Sequence, residues 1–320
     1  MTVHTKLAST GVKSIFIDGE SGTTGLDIVR RLADVPGVSL KSLPAEQRKD
    51  PEAKKALLAE VDLVVLCLPD AAAKDTVALV DGLGSRGPKV LDASTAHRVA
   101  EGWTYGFAEM ARDQPKAIAS SSRVANPGCY PTGGIGLLRP LVAAGLLPAD
   151  YPVTVNAVSG YSGGGKAMIA DFEAGTAPHF ELYGLRLEHK HIPELQKYSG
   201  LARRPIFVPS VGNFYKGMLV SVPLHLDALP GNPSPADLHE ALAAYYPPGG
   251  QVSVIPMDKI ADSSGRLEPE GLNDTDRMEL RVYAHPSYPQ AVLVARLDNL
   301  GKGAAGAAVQ NLKLMLGFDA

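Results

Sequence analysis

Cysteine is nearly absent from this 320-residue sequence, which carries two, Cys67 and Cys129. Neither forms a Cys-x-x-Cys pair or stands near a histidine at metal-ligand spacing. That excludes a disulfide framework and a structural zinc site, and no metal is expected. Charge of one sign is also lacking: the net charge is -3, and no Lys/Arg run is interleaved with aromatics. Nucleic acid and anionic membrane surfaces are therefore not expected as partners. No apolar run reaches the roughly 18 residues that a membrane helix needs. The polar stretch from Met1 to Gly11 lacks the apolar core of a signal peptide, so a cytoplasmic location is expected. What is present, 45% hydrophobic and 20% charged residues, is the balance of a globular protein, and the length suits about two domains.

The rest of the chain is organised around the stretch from Ser122 to Gly134. Asn126-Pro127-Gly128 is a turn signal, and Pro131 suits the first turn of a helix. That helix would present Ile135, Leu138, Leu141 and Val142 inward and end at Gly145. Cys129 then sits at a helix N-terminus, where free N–H groups and the helix dipole favour the nucleophilic thiolate. The competing reading, a small buried apolar residue, stays open at this point.

Lys13 to Asp18 reads as a buried strand, and Gly19-Glu20-Ser21-Gly22-Thr23-Thr24-Gly25 follows at once. An amphipathic helix with Leu26, Val29 and Leu32 on one face comes next. A glycine-rich turn between strand and helix lets the backbone approach a pyrophosphate and aims helix N–H groups at it. The spacing G-x-x-G-x-x-G is weak evidence by itself, but its context points to a dinucleotide. Gly19, Ser21, Gly22, Thr23, Thr24 and Gly25 are the candidate contacts. Around the end of a second strand, Val38 to Leu43, stand Lys41, Ser42, Arg48 and Lys49, with Glu46 the only nearby acid. This set leans towards NADP, with Ser42 and Arg48 as candidates, against the alternative of an exposed basic helix start.

Val61 to Pro69 is the near-continuous apolar run of a central parallel strand. Cys67 reads as core there, bordering the cofactor crevice with Pro69. A helix over Ala71 to Leu83 and a strand over Lys89 to Asp92 complete a strand and helix alternation, the form of a Rossmann-like, doubly wound parallel sheet. The Gly19 loop, Pro69-Asp70 and Ser94 to Arg98 would open on one crevice at the strands' carboxyl ends. Arg98 and Ser94 are the candidates there for a phosphate or carboxylate. The plainer role for Arg98 is an ion pair with Glu101 or Glu109.

From Tyr151 the pattern changes. Strands are expected at Val153 to Val158, Pro205 to Val208, Gly217 to Leu226, Gln251 to Pro256, Met278 to His285 and Gln290 to Asp298, with few helices between them. This reads as an α+β second domain with a mixed, largely antiparallel sheet. The loop Ser162-Gly163-Gly164-Gly165-Lys166 is an anion nest, a lid or a turn. His189 and His191, two apart on what reads as an extended stretch, would point to opposite sides. They are candidates for proton transfer, and a thiolate with an imidazole makes a nucleophile and base pair. After Asn299, a helix of small residues from Gly303 to Leu316 would return to the first domain beside the cofactor. The expected division is 1–128 with the helix 300–320 for the dinucleotide, and 129–299 for catalysis, substrate and oligomerisation. A half-exposed sheet would serve self-association as dimer or tetramer.

Together the glycine loop, Asn126-Pro127-Gly128-Cys129-Tyr130-Pro131-Thr132, Ser162-Gly163-Gly164-Gly165-Lys166, His189-Lys190-His191-Ile192-Pro193-Glu194 and Gly301-Lys302-Gly303-Ala304-Ala305-Gly306 resemble N-acetyl-gamma-glutamyl-phosphate reductases, in the shorter of that family's two forms. The resemblance covers nearly the whole chain. It implies an NADPH-dependent reductase of arginine biosynthesis with a fold akin to aspartate-semialdehyde dehydrogenase. It further implies that Cys129 attacks the acyl phosphate and releases inorganic phosphate, with His189 as acid and base and His191, Tyr183 and Glu194 supporting it. Asn126, Ser162, Gly163 and Lys166 join Ser94 and Arg98 around the substrate, and Asn299 and Gly303 join the cofactor contacts. Aspartyl or aminoadipyl phosphate would suit the same chemistry, since one methylene changes binding by only about 1–3 kcal/mol. A non-catalytic NADP-binding regulator would need neither Cys129 nor His189, and a cysteine hydrolase would not need the glycine loop.

Overall fold

A computed structural model describes residues 11–318 apart from Asp34, Asp262 and Ser263. The polar start of the chain and residues 319–320 of the expected terminal helix lie outside the described residues. Among the described residues no helix is long and apolar enough to cross a membrane.

The first half alternates strand and helix: β1 Lys13–Asp18, α1 Thr23–Leu32, β2 Val38–Lys41, α2 Pro51–Leu58, β3 Leu63–Leu66, α3 Asp70–Asp81, β4 Lys89–Asp92, β5 Thr104–Tyr105, α4 Gln114–Ser120 and β6 Arg123–Ala125. The strands form one sheet in the order β2-β1-β3-β4-β6-β5, with every pairing parallel. Period-two alternation feeds both faces. Ile15, Ile17, Leu63 and Val65 enter one core with Ile28 and Leu32 of α1, whereas Phe16, Val64 and Leu66 enter another with Leu58 of α2 and Val80 of α3. A sheet covered on both faces is what near-continuous apolar strands require.

The second half begins with α5 Cys129–Ala143, followed by β7 Thr154–Gly160, α6 Gly165–Glu173, β8 Phe180–Leu182, α7 Ile192–Ser199, β9 Ile206–Gly212, β10 Met218–His225, α8 Pro235–Tyr245, β11 Val252–Val254, α9 Met257–Ala261, β12 Met278–Ala284 and β13 Gln290–Leu297. Its sheet runs β11-β12-β13-β10-β7-β9-β8. It is mixed, because β7 with β9 and β11 with β12 pair in parallel while the other neighbours are antiparallel. Helices are more frequent here than expected. The capping box of α8, Ser234 with Asp237 under Pro235, is a readable start signal.

One face of this sheet is buried under α5 and α8, and glycine in α5 permits the close approach. A Cβ at Gly133 would stand 2.7 Å from Val220 Cγ2. The opposite face is an open apolar groove carrying Phe180, Leu182, Leu219, Val292 and Val294. After β13 the chain makes a π-helical turn, Gly301–Ala305, before α10 Gly306–Leu316. The helix packs back on α1, α4 and β4 of the first sheet. Ala305, Ala308 and Leu312 enter the core beside Ile15.

Candidate active site

Cys129 is the first residue of α5, and Gly128 before it is an extended N-cap without a side-chain partner. The turn leading into the helix is pinned by Glu194. This buried carboxylate accepts from Arg98 Nη1 at 2.6 Å, from Tyr105 Oη at 2.6 Å and from the Gly128 amide at 3.1 Å. Only glycine fits at 128, since a Cβ would lie 2.6 Å from Arg98 Nη1 and 2.8 Å from His191 Nε2. Arg98 is thus the partner of Glu194, not of Glu101 or Glu109, and its Nε donates to Asn126 O at 3.0 Å. Asn126 is spent on structure as well: its Nδ2 donates to Ala304 O, and its Oδ1 accepts from Asn311 Nδ2.

The helix start does favour the thiolate, but burial outweighs it. Burial pushes the Cys129 thiol up while the Arg98 guanidinium and the Tyr130 amide pull it down, and the result is about 11. Glu194 adds to the upward push.

The histidine stretch is not extended. It turns, and His191 is the N-cap of α7, so the two rings lie 4.7 Å apart instead of on opposite sides. Pro193 in the first turn of α7 starts that helix. The His191 amide donates to His189 Nδ1 at 3.2 Å, so the neutral ring carries its proton on Nε2. Burial, then Lys190 and Arg98, hold His189 down to about 4, and burial with Arg98 holds His191 far below its usual value. His191 Nδ1 is buried without a hydrogen-bond partner among the described residues. Tyr183 meets His189 by ring contact, and its hydroxyl donates to Tyr130 Oη at 3.0 Å. Glu194 acts on Arg98 and Gly128; no hydrogen bond joins it to His189.

Cys129, His189, Arg98 and Gly163 line one pocket of about 380 Å³. Thr23 and Thr24 belong both to this pocket and to a smaller one with Gly22, Gly25, Cys67 and Lys166, so the sulfur and the glycine loop share one crevice. Lys166 lies at the loop end. The loop fits a dinucleotide's phosphates. Gly19 has φ +91°, and a Cβ there would lie 2.3 Å from Cys67 O; one at Gly25 would lie 2.4 Å from Gly19 O. Gly22 has ordinary room, so two of the three glycines are sterically required. The helix start has no side-chain cap, and among the described residues no acceptor meets the amides of Thr23, Thr24 and Gly25.

Other expected contacts are placed differently. Ser94 Oγ donates to Asp92 Oδ2 at 2.9 Å and accepts from the Ala96 amide; Ala93, not Ser94, lines the pocket. Ser162 Oγ accepts from Asn299 Nδ2 at 2.9 Å, and Asn299 Oδ1 accepts from the Gly217 amide, so both are structural ties at the pocket wall. Pro69 is the N-cap of α3, and Ser21 is exposed and does not line either pocket of the crevice among the described residues. Ser42 and Arg48 both donate to Glu20. Gly303 packs on Cys129: a Cβ there would stand 2.8 Å from Cys129 Cβ. Sequence reading missed Tyr105, for which no local signal exists. It also missed buried Lys302, whose Nζ donates to Glu109 at 2.6 Å and to Gln251 and Gln310 at 2.9 Å. A lone lysine among small residues was the available signal.

Residues 14–118 match the family model described as the semialdehyde dehydrogenase NAD binding domain, and residues 129–299 match the semialdehyde dehydrogenase dimerisation domain. The chain is 55% identical to the N-acetyl-gamma-glutamyl-phosphate reductase of Chelativorans sp. (strain BNC1), over 94% of this chain and 97% of that one. It is 52% identical to that of Mesorhizobium japonicum, over 95% and 99%. Among solved structures, aspartate semialdehyde dehydrogenase from Francisella tularensis shares the fold with a TM-score of 0.71 at 13% identity, over 95% of this chain and 100% of that one. The enzyme from Candida albicans with NADP gives 0.66 at 15%, over 95% and 99%.

Proposed function

Because this chain belongs to the N-acetyl-gamma-glutamyl-phosphate reductases of the semialdehyde dehydrogenase family, we propose that it reduces N-acetyl-gamma-glutamyl phosphate to N-acetylglutamate 5-semialdehyde with NADPH, releasing phosphate, in arginine biosynthesis in the cytoplasm. The observation that carries this is the single crevice joining Cys129 at the start of α5, neutral His189 and the glycine cradle at the start of α1. Residues 1–128 and 300–320 hold the dinucleotide, and 129–299 hold the acyl phosphate. The open apolar face of the second sheet pairs with a second copy of the chain, giving a dimer or a tetramer.

In the first step, the Cys129 sulfur attacks the acyl carbon and the carbon–oxygen bond to phosphate breaks. A thioester remains, and the thiol proton ends on the leaving phosphate. A weak nucleophile and a hard reduction are thereby replaced by two easier steps. Arg98 beside the sulfur stabilises the thiolate and the phosphate's charge. His189 offers Nε2–H, since Nδ1 is occupied by the His191 amide. Its first action is therefore to donate to the acyl oxygen as negative charge develops there. NADPH held by the glycine cradle from Gly19 to Gly25 would supply hydride to the thioester carbon. His189 Nε2–H holds the resulting oxyanion by a hydrogen bond until it collapses; the carbon–sulfur bond breaks, the aldehyde leaves, and the Cys129 thiolate takes up a proton from solvent. Gly303, with no side chain, lets the turn before α10 pack directly on Cys129.

The test is phosphate-dependent reduction of NADP+ by the purified protein, with N-acetylglutamate semialdehyde and aspartate semialdehyde offered separately. Preference for the N-acetylated aldehyde is expected. Preference for aspartate semialdehyde would keep the mechanism and reject the substrate, and silence with both would reject the reading. Cys129→Ser should abolish turnover and leave NADP+ affinity unchanged by equilibrium titration.

A further inference from the structure

The proposed reaction leaves unused an acidic residue at the adenosine end of the cradle. Glu20 follows Gly19 in the loop between β1 and α1, and both its carboxylate oxygens are engaged. Ser42 Oγ donates to Oε2 at 2.7 Å, and Arg48 Nη2 donates to Oε1 at 2.5 Å. Ser42 is the first residue after β2, and Arg48 closes the short helical turn Ala45–Gln47. Because β2 pairs with β1 in parallel, both donors stand at the carboxyl ends of the two strands that frame the cradle. There a dinucleotide of this fold class places its adenosine ribose. A hydroxyl and a guanidinium converging on one pair of anionic oxygens is a donor set suited to a phosphate monoester. In the free protein those oxygens belong to the chain itself. The Arg48 side chain is 45% exposed and that of Glu20 22%, so a ligand can reach and exchange this pair. Arg48 Nε also donates to Leu43 O at 3.3 Å, which holds the guanidinium in place if Glu20 leaves.

We propose that Glu20 is an internal stand-in for the adenosine 2′-phosphate: it occupies Ser42 and Arg48 in the free protein, must release them when NADP(H) binds, and so lowers the preference for NADP over NAD. The proposal rests on the reading of the Gly19 loop as the dinucleotide site. A phosphate monoester brings about two negative charges to a position where Glu20 already carries one, and like charges at this separation oppose binding. NAD, with a bare 2′-hydroxyl, meets no such conflict and leaves the Glu20–Arg48 pair intact. Glutamine at 20 keeps the shape and an acceptor for Ser42, removes the charge, and frees the guanidinium for the phosphate.

The experiment is isothermal titration of the full chain with NADP+, NAD+ and 2′,5′-ADP, a probe that carries the 2′-phosphate without the nicotinamide. The proteins are wild type, Glu20→Gln, Glu20→Ala, Arg48→Gln and the double variant Glu20→Gln/Arg48→Gln, each checked by its melting temperature. Glu20→Gln should bind NADP+ and 2′,5′-ADP roughly 2–5-fold tighter, the range an accessible ion pair can supply, with NAD+ unchanged. Arg48→Gln should lose NADP+ affinity, and the double variant should bind no tighter than Arg48→Gln. Unchanged NADP+ affinity in both Glu20 variants, or a gain that survives the loss of Arg48, overturns the proposal while leaving the cofactor reading intact. Weakened NAD+ binding in Glu20→Gln overturns it in favour of a ribose hydroxyl acceptor. A wild-type protein that binds neither dinucleotide overturns the cofactor reading and this inference with it.

Discussion

Replacing Gly303 by alanine sets a methyl group against Cys129, the proposed nucleophile. The added carbon would stand 2.8 Å from Cys129 Cβ, 3.1 Å from Asp298 O and 3.3 Å from Cys129 Cα. Carbon atoms rest about 3.5–4.0 Å apart, so the two segments must separate by about 0.7 Å or more. Neither yields readily. Gly303 N donates to Asp298 O at 3.0 Å inside the π-helical turn, and the neighbouring Lys302 ties that turn to Glu109, Gln251 and Gln310. On the other side Cys129 belongs to the first turn of a buried helix. Overpacking of this kind costs about 1–3 kcal/mol, a melting temperature lower by roughly 2–6 °C. A sulfur moved by most of an ångström loses on the order of a hundredfold in turnover. The assay is phosphate-dependent NADP+ reduction beside a thermal melt and mass-spectrometric iodoacetamide labelling of Cys129. A Gly303→Ala protein that melts with wild type and turns over within about threefold of it would falsify the tight packing of the turn on Cys129.

Because burial, against Arg98, raises the Cys129 thiol to about 11, its alkylation in the free protein should climb about tenfold per pH unit through neutrality. A plateau near an ordinary thiol value of about 8.5 refutes this. Cys67, pushed by burial to about 12, should label later than Cys129. His189 is held at about 4 by burial, Lys190 and Arg98, below its unfolded value of about 6.5. The unfolded chain therefore binds the extra proton, and stability falls as the pH drops from about 6.5 towards 4. His189→Asn should flatten that part of a melting-temperature profile, and an unchanged slope rejects it. Lys302→Met leaves half-buried Glu109 without its ammonium, a loss of about 1–3 kcal/mol. Adding Glu109→Gln should restore part of it in chemical denaturation, whereas additive losses would show that the pair is not coupled.

Much of the fold was legible because its signals are local. The apolar strand Lys13 to Asp18, the glycine turn after it and the turn before Cys129 each depend on residues a few positions apart, and the expected strands overlap those observed, while the short strands β5, β6 and β8 were not read. The histidine stretch was misread because His-Lys-His carries no period of its own. Its shape is set by Pro193 and by the His191 amide bond to His189. Arg98 was read as free for phosphate or paired within its own neighbourhood, but its partner Glu194 lies 96 residues away. No spacing rule reaches that far.

By itself the sequence determined the chemistry available: one cysteine at a helix start, a glycine loop after a first strand, two histidines, and small residues in the last helix. Those features follow from backbone preference and hydrophobic period, which act within a turn or two of chain. Only the tertiary structure decided what each group is able to do. Desolvation keeps the thiol protonated against its helix, one amide chooses the proton position on His189, and Glu20 meets Arg48 across 28 residues. Electrostatics and close packing depend on distance through space, and the chain's order along the sequence does not contain that distance.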